Sequence, residues 1–155
     1  MSIYYRNEDL LNSDCEYICH QVNCRGVMGS GVAKQIKEKW PEVYEAYSIW
    51  HSYHVNREGE KGLLGEIQIV PIGENAIINM FSQENFGRDG ERYTSYDAFW
   101  RCLEKIKYSI PKYSSIAFPY KIGCGLGGAN WEIIETMIRL ALKDDYDVYI
   151  YRWEK

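Results

Sequence analysis

The residues of this chain that could do chemistry are glycines clustered in two loops and one histidine in a predicted strand. The glycine-rich loops, residues 26–31 and 123–128, each follow a β-prone stretch and each lead into a helical one. That context puts backbone N–H groups and helix N-termini at the carboxyl edge of a sheet, where α/β domains bind ligands. Orphan amides and the helix dipole favour an anion there. Glycine lets the backbone approach a phosphate with no Cβ in the way. One such loop has a plainer explanation, because glycine also ends strands and makes turns; two in matched contexts point to a ligand. Gly123-x-Gly125-x-x-Gly128 also satisfies the dinucleotide fingerprint GxGxxG. Only one helix and one strand remain after it, whereas a Rossmann domain needs several more strand–helix units, so a nicotinamide-dependent dehydrogenase is discounted.

His20 has two readings. A histidine with a pKa near neutrality could protonate a leaving group or orient a water; alternatively it is a strand residue satisfied by a backbone partner. Cys24 and Cys124 are nucleophiles only if their pKa is depressed, which helix amides near Cys124 could do; otherwise they are structural or ligand-lining. His51-x-x-His54 lacks an adjacent glutamate and a third ligand, and reads as a solvated helix end rather than a metal pair.

Composition narrows the setting. With 18 Lys plus Arg against 22 Asp plus Glu, the net charge is −4. That argues against a general nucleic-acid or anionic-membrane binder, so local amides must hold any anionic ligand. Five cysteines without a CxxC pair make a disulfide framework or a cysteine-rich zinc site an unsuitable reading. The first eleven residues carry Arg6, Glu8 and Asp9 and do not read as a signal peptide. No apolar run approaches a membrane span, and a cytoplasmic setting is the expectation. The 14 tyrosines and 5 tryptophans are read mostly as packing at the edges of a small core, with one or two stacking on a planar ligand.

The elements that must position these residues follow from periodicity and breakers. Residues 3–5 read as an edge strand and 16–22 as a buried strand. Residues 31–40 read as a helix, with Pro41 opening a second over 42–50. A turn at 59–62 precedes strands 66–71 and 76–81, joined at Gly73-Glu74-Asn75. Residues 82–92 read as a surface loop, with Arg88, Arg92 and the adjoining Tyr93 as its notable side chains. Ser95 caps a helix over 96–108; 115–118 is a strand ending at Pro119; 131–142 is a helix; 147–153 is the last strand. Strands alternating with helices, with no repeat or linker, imply one three-layer α/β/α domain with a mixed central sheet over residues 1–155.

Two segments carry a resemblance. His20-Gln21-Val22-Asn23-Cys24-Arg25-Gly26-Val27-Met28-Gly29-Ser30-Gly31-Val32-Ala33 resembles the first ligand loop of macro domains. Pro119-Tyr120-Lys121-Ile122-Gly123-Cys124-Gly125-Leu126-Gly127-Gly128-Ala129-Asn130-Trp131 resembles their second, and Glu8-Asp9-Leu10 their short acidic motif. The likeness spans nearly the whole chain and is nearest the branch holding the terminal ADP-ribose glycohydrolase, the ALC-type macro domains and the ADP-ribose-1″-phosphate phosphatase.

The resemblance implies a domain that binds ADP-ribose or an ADP-ribosylated substrate, without a cofactor and as a monomer. Its activity would be phosphatase or ADP-ribosyl hydrolase; a non-catalytic reader is the alternative. It implies that Asp9 accepts a hydrogen bond from the adenine amino group and that Tyr151 lies near the adenine. A solvated turn and core packing are the plainer readings of these two. Asn23 would contact the distal ribose. Gly29, Ser30, Gly31 and Val32 would wrap that ribose and a phosphate, and Gly123, Cys124, Gly125, Leu126 and Gly127 the diphosphate from the other side. Leu10, Gln21, Met28, Phe81, Pro119 and Ile122 complete the implied ligand-binding set, with His20 as the implied catalytic residue by its match to the phosphatase relative. Departures from the family pattern are as informative. The glycohydrolase's attacking lysine falls at or near Tyr93 and its assisting aspartate at Gly127. The aspartate that follows the first glycine loop in another hydrolase branch is Ala33.

Overall fold

The computed structural model describes residues 3–153, so the outermost two residues at each end of the expected 1–155 domain lie outside the described residues. Six strands form one sheet: β1 (Ile3–Arg6), β2 (Tyr17–Asn23), β3 (Ile67–Ile72), β4 (Asn75–Gln83), β5 (Ser115–Pro119) and β6 (Asp147–Tyr151). Their spatial order is β1-β6-β5-β2-β4-β3, and all pairs are parallel except β3 with β4. The mixed α/β/α architecture is therefore as the alternation of elements predicts.

Four helices cover the sheet. On one face α1 (Gly31–Lys39) and α2 (Pro41–Glu58) pack Ile36, Val43 and Tyr47 against Ile18, Val22, Ile77 and Phe81. On the other, α3 (Tyr96–Ser109) and α4 (Trp131–Leu142) pack Phe99, Leu103, Ile134 and Ile138 against Cys19, Met80, Ile116 and Ile150. Each of these side chains is almost fully removed from water. Burial of that kind supplies about 1.5–3 kcal/mol per large side chain, an upper figure before the unfolded chain's own compaction is counted.

Several expected boundaries move. The strand read as 76–81 runs Asn75–Gln83, so Ser82, fully buried, and Gln83 belong to the sheet and not to the expected surface loop. The helix read as 42–50 continues to Glu58 because residues 51–58 hold neither glycine nor proline, and it stops at Gly59, whose positive φ (78°) suits glycine. His51 and His54 therefore lie inside α2 and not at a solvated end. The last strand ends at Tyr151 rather than Trp153, although the Arg152 N–H still donates to the Arg6 carbonyl at 2.8 Å. The β3–β4 hairpin closes on Gly73-Glu74, with Gly73 at φ 75°, a position where a two-residue loop calls for glycine.

The sheet order fixes where a ligand can sit. β2 and β5 are neighbours. The chain leaves β2 toward α1 on one face and leaves β5 toward α4 on the other. Between these diverging connections the carboxyl ends of β2 and β5 open into a crevice, the switch point of an open α/β sheet. Both glycine loops spring from this point.

Candidate functional site

A cavity of about 360 Å³ occupies the crevice, within the range of small-molecule sites. Its walls are the end of β2 (His20 to Asn23), the first loop and the start of α1 (Val27 and Gly29 to Ala33), the second loop (Pro119 to Gly127, Cys124 excepted), Gln83 at the end of β4, and Phe86, Gly87 and Arg88 after it. Arg88 and Lys121 line it, and no carboxylate does among the described residues. An acidic protein thus presents an acid-free cavity, which suits an anion. A second, open cavity adjoins it, lined by Asp9, Leu10, Gln35, Lys39, Tyr151 and Trp153 among others. Val32, Pro119 and Tyr120 belong to both walls, so the two cavities lie side by side.

The first loop is held from below. The Asn23 side-chain oxygen accepts from the Arg25 N–H (2.9 Å) and the Tyr47 hydroxyl (2.9 Å), and its Nδ2 donates to the Val27 carbonyl (2.8 Å). His51 bonds the Cys24 carbonyl through Nε2 at 2.7 Å, and its ring lies 3.0 Å from where a Cβ on Gly26 would stand. The histidine pair is therefore divided: His51 is a brace for the loop, while the His54 ring packs at a tilt against Trp50. Among the described residues no group of three metal-ligating side chains occurs. Ser30 precedes α1 without a side-chain bond to its first turn. Asp9, Ser95 and Asn130, by contrast, each cap their own helices. The uncapped turn at Gly31–Ala33 borders the cavity and favours negative charge.

The second loop hangs on Thr94. Its hydroxyl donates to the Gly123 carbonyl (2.8 Å) and accepts from Gln21 Nε2 (2.8 Å), and its N–H donates to the Gly127 carbonyl (3.0 Å). Gln21 is committed to this brace: Nε2 also reaches Gln83 (2.6 Å), and Oε1 accepts from the Ser82 hydroxyl (2.6 Å). A Cβ on Gly127 would lie 2.4 Å from Thr94 Oγ1 and 2.6 Å from the Gly123 carbonyl oxygen. The position that carries an aspartate in the glycohydrolase relative is closed to any side chain here. At Gly31 and Gly125 the opposite holds: an added Cβ would meet nothing within 4 Å. The Asn130 side chain accepts from the Glu132 and Ile133 N–H groups, so α4 is capped from within and does not offer its first turn to the loop.

Thirteen of the expected site residues line the first cavity: His20, Gln21, Asn23, Gly29, Ser30, Gly31, Val32, Pro119, Ile122, Gly123, Gly125, Leu126 and Gly127. Asp9, Leu10 and Tyr151 line the second. Asp9 caps the 3-10 turn Leu10–Asn12 through one oxygen (3.0 Å to the Leu11 N–H). Tyr151 is buried and accepts from the Ser13 hydroxyl at 3.0 Å, so it is at once core and wall. Three expectations are corrected. Met28 is buried beneath the first loop; Phe81 is fully buried and stacks on Tyr47; neither lines a cavity. Cys124 is absent from the cavity lining: its thiol turns to the Ile122 carbonyl (3.5 Å), and burial raises its pKa against the opposing charge of Lys121, away from the depressed value a nucleophile needs. Thr94, Tyr47 and Asn79 were missed, since nothing in their own sequence surroundings sets them apart.

His20 is buried in the cavity lining, where burial lowers its pKa to about 4 and a bond to Asn79 opposes that shift. It is neutral at pH 7, which removes the proton-donating half of the expectation. Its partner is a side chain, Asn79 Oδ1 at 2.5 Å, rather than the backbone. Tyr93, at or near which the resemblance puts the lysine, lines neither cavity; it donates to both oxygens of Asp89 and packs over Gly87.

Comparison with known proteins agrees with this fold. The macro domain family model matches residues 19–138. A DNA ADP-ribosyl glycohydrolase of Mycobacterium tuberculosis is 32% identical over 96% of the chain. The chain spans 42% of that relative's length. An uncharacterised 17.5 kDa protein of phage T4 is 28% identical, over 99% of this chain and 98% of its own. Among solved structures, the macrodomain of M. tuberculosis DarG superposes with a TM-score of 0.75 at 29% identity, covering 98% of both chains. A Bacteroides thetaiotaomicron protein of unknown function reaches 0.82 at 29% identity, covering 98% of this chain and 99% of its own.

Proposed function

Because the chain belongs to the macro domain family, we propose that it binds ADP-ribose along the two adjoining cavities and hydrolyses the bond from the distal ribose to a carried group, with ADP-ribosylated DNA as the substrate class. One observation carries the binding part of this reading: the carboxylate-free cavity at the β2–β5 switch point, where Gly31 and Gly125 leave the Cβ space open for a diphosphate. The second Asp9 oxygen is available by its chemistry to accept from an adenine amino group. The DNA substrate class rests on the glycohydrolase name of the M. tuberculosis relative. Without the lysine and aspartate of the glycohydrolase branch, water is the attacking group. Removal of a 1″-phosphate is the other reaction that this site would support. A non-catalytic reader is the second reading, and the closed Gly127 position together with the acid-free lining favours it.

The test is turnover of an ADP-ribosylated oligonucleotide beside ADP-ribose-1″-phosphate and ADP-ribosylated protein, with calorimetry on ADP-ribose. Saturable heat and release from the oligonucleotide are expected, with slow release from glutamate-linked protein. Absence of heat at high micromolar ADP-ribose overturns the reading. Binding with no release from any substrate replaces the hydrolase with the reader.

A further inference from the structure

His20, 1% exposed, is among the residues that line the cavity, and its ring carries a buried Nδ1 that has no partner among the described residues. Its hydrogen state can be worked out from the far side of the sheet. The Ala46 carbonyl on α2 can only accept, and Gln68 on β3 donates to it through Nε2 at 3.0 Å. Gln68 must therefore turn its Oε1 to β4, where Asn79 Nδ2 donates at 3.0 Å. Asn79 in turn presents Oδ1 to His20 Nε2 at 2.5 Å. An amide oxygen only accepts, so the hydrogen between them sits on Nε2. His20, Asn79 and Gln68 are register partners on β2, β4 and β3, a polar row across three strands. A neutral imidazole has one N–H, and this row assigns it to Nε2, leaving a lone pair on Nδ1.

We infer that His20 is a fixed hydrogen-bond acceptor in the cavity lining, its tautomer imposed from α2 through Gln68 and Asn79, and that it takes the hydrogen of a hydroxyl. That hydroxyl belongs to the bound sugar or to a water held beside it. This assignment of the ligand rests on the ADP-ribose reading above; the assignment of the tautomer does not. The chemistry excludes a phosphate oxygen at Nδ1, because two lone pairs would face each other. The diphosphate is thereby left to the loop amides, and the sugar is oriented with a hydroxyl toward His20. Burial supports the neutral ring, since it disfavours the imidazolium. A buried acceptor left unpaired costs about 1–3 kcal/mol, and a ligand hydroxyl removes that cost. Asn79 and Gln68 are positioning residues that act through His20.

Long-range ¹⁵N–¹H NMR of the wild-type protein, free and with saturating ADP-ribose, tests both halves. In the free protein, the Nε2–H cross-peak pattern for His20 is expected; an Nδ1–H pattern or a tautomer mixture overturns the lock. With ADP-ribose, the His20 Nδ1 resonance should move upfield as it accepts a hydrogen. Binding by calorimetry with an unmoved Nδ1 resonance overturns the acceptor role and leaves the ADP-ribose reading intact. Absence of binding overturns the ligand assignment together with that reading, while the free spectrum still decides the tautomer. Water and sugar are separated by ADP-ribose analogues lacking one distal hydroxyl: loss of the Nδ1 shift with one analogue assigns the sugar, and retention with all assigns water. Asn79→Leu should release the tautomer and weaken ADP-ribose by about three- to tenfold. Asn79→Asp, which keeps an acceptor at Nε2, should keep the Nε2–H pattern.

Discussion

Adding a methyl group at Gly127 and at Gly125 separates what the second loop needs for folding from what it needs for binding. At Gly127 the new Cβ meets Thr94 Oγ1 at 2.4 Å and the Gly123 carbonyl at 2.6 Å. The first neighbour is buried and hydrogen-bonded at both ends and the second is backbone, so neither can yield cheaply. Overpacking of that kind costs about 1–3 kcal/mol. For a chain of this size that lowers Tm by roughly 3–10 °C. At Gly125 nothing lies within 4 Å and the backbone is not left-handed, so Gly125→Ala should hold stability within about 0.5 kcal/mol. Its methyl group instead enters the space assigned to the diphosphate, and ADP-ribose affinity should fall about tenfold or more, as for a displaced charged contact. Thermal melts and calorimetry on the two variants read both quantities. A Gly127→Ala protein that melts like wild type, or a Gly125→Ala protein that binds like wild type, refutes the assignment of the two glycines. Gly127→Asp should fail to restore glycohydrolase chemistry for the same steric reason.

Two further outcomes follow from the braces and the buried ring. Tyr47→Phe removes the hydroxyl that donates to the Asn23 backbone and side-chain oxygens, leaving buried acceptors short of a donor; denaturant melts should show a loss of about 1–3 kcal/mol, and a loss below 0.5 kcal/mol would discount the brace. His20 binds its proton more weakly in the folded protein, about 4, than in the unfolded chain, 6.5. The unfolded state therefore takes up more protons between these values, and stability falls as pH drops through that window by about 3 kcal/mol in total. Urea melts from pH 7.5 to 4 on wild type and His20→Gln should differ by this slope; parallel pH profiles would show that the ring is not held neutral.

The order of elements and both glycine loops are legible in the sequence because each has a local signature, while the residues expected to line the cavities come from the resemblance to macro domains. The thirteen expected residues that line one cavity rest on that resemblance, whereas glycine runs after β-prone segments and Pro41 at a helix start are local marks. The residues that hold the loops in place have none. Thr94 matters through Gln21, 73 positions away, and Asn79 through His20, 59 positions away. Such partnerships exist only once β2, β4 and β5 are side by side. Phe81 and Met28 fail for a related reason: an apolar residue beside a loop reads the same whether it faces a ligand or the core, and the strand alternation here turns Phe81 onto Tyr47.

The acid-free cavity in a chain of net charge −4 has a kinetic consequence. At long range the field of the whole domain opposes an approaching dianion, and attraction takes over only within the reach of the loop amides. Encounter is then slow and is speeded by added salt, the reverse of a basic protein steered to its target. Affinity must reside in slow departure. A nucleic acid bearing ADP-ribose would be caught by the small handle it carries, while its own backbone is kept at a distance.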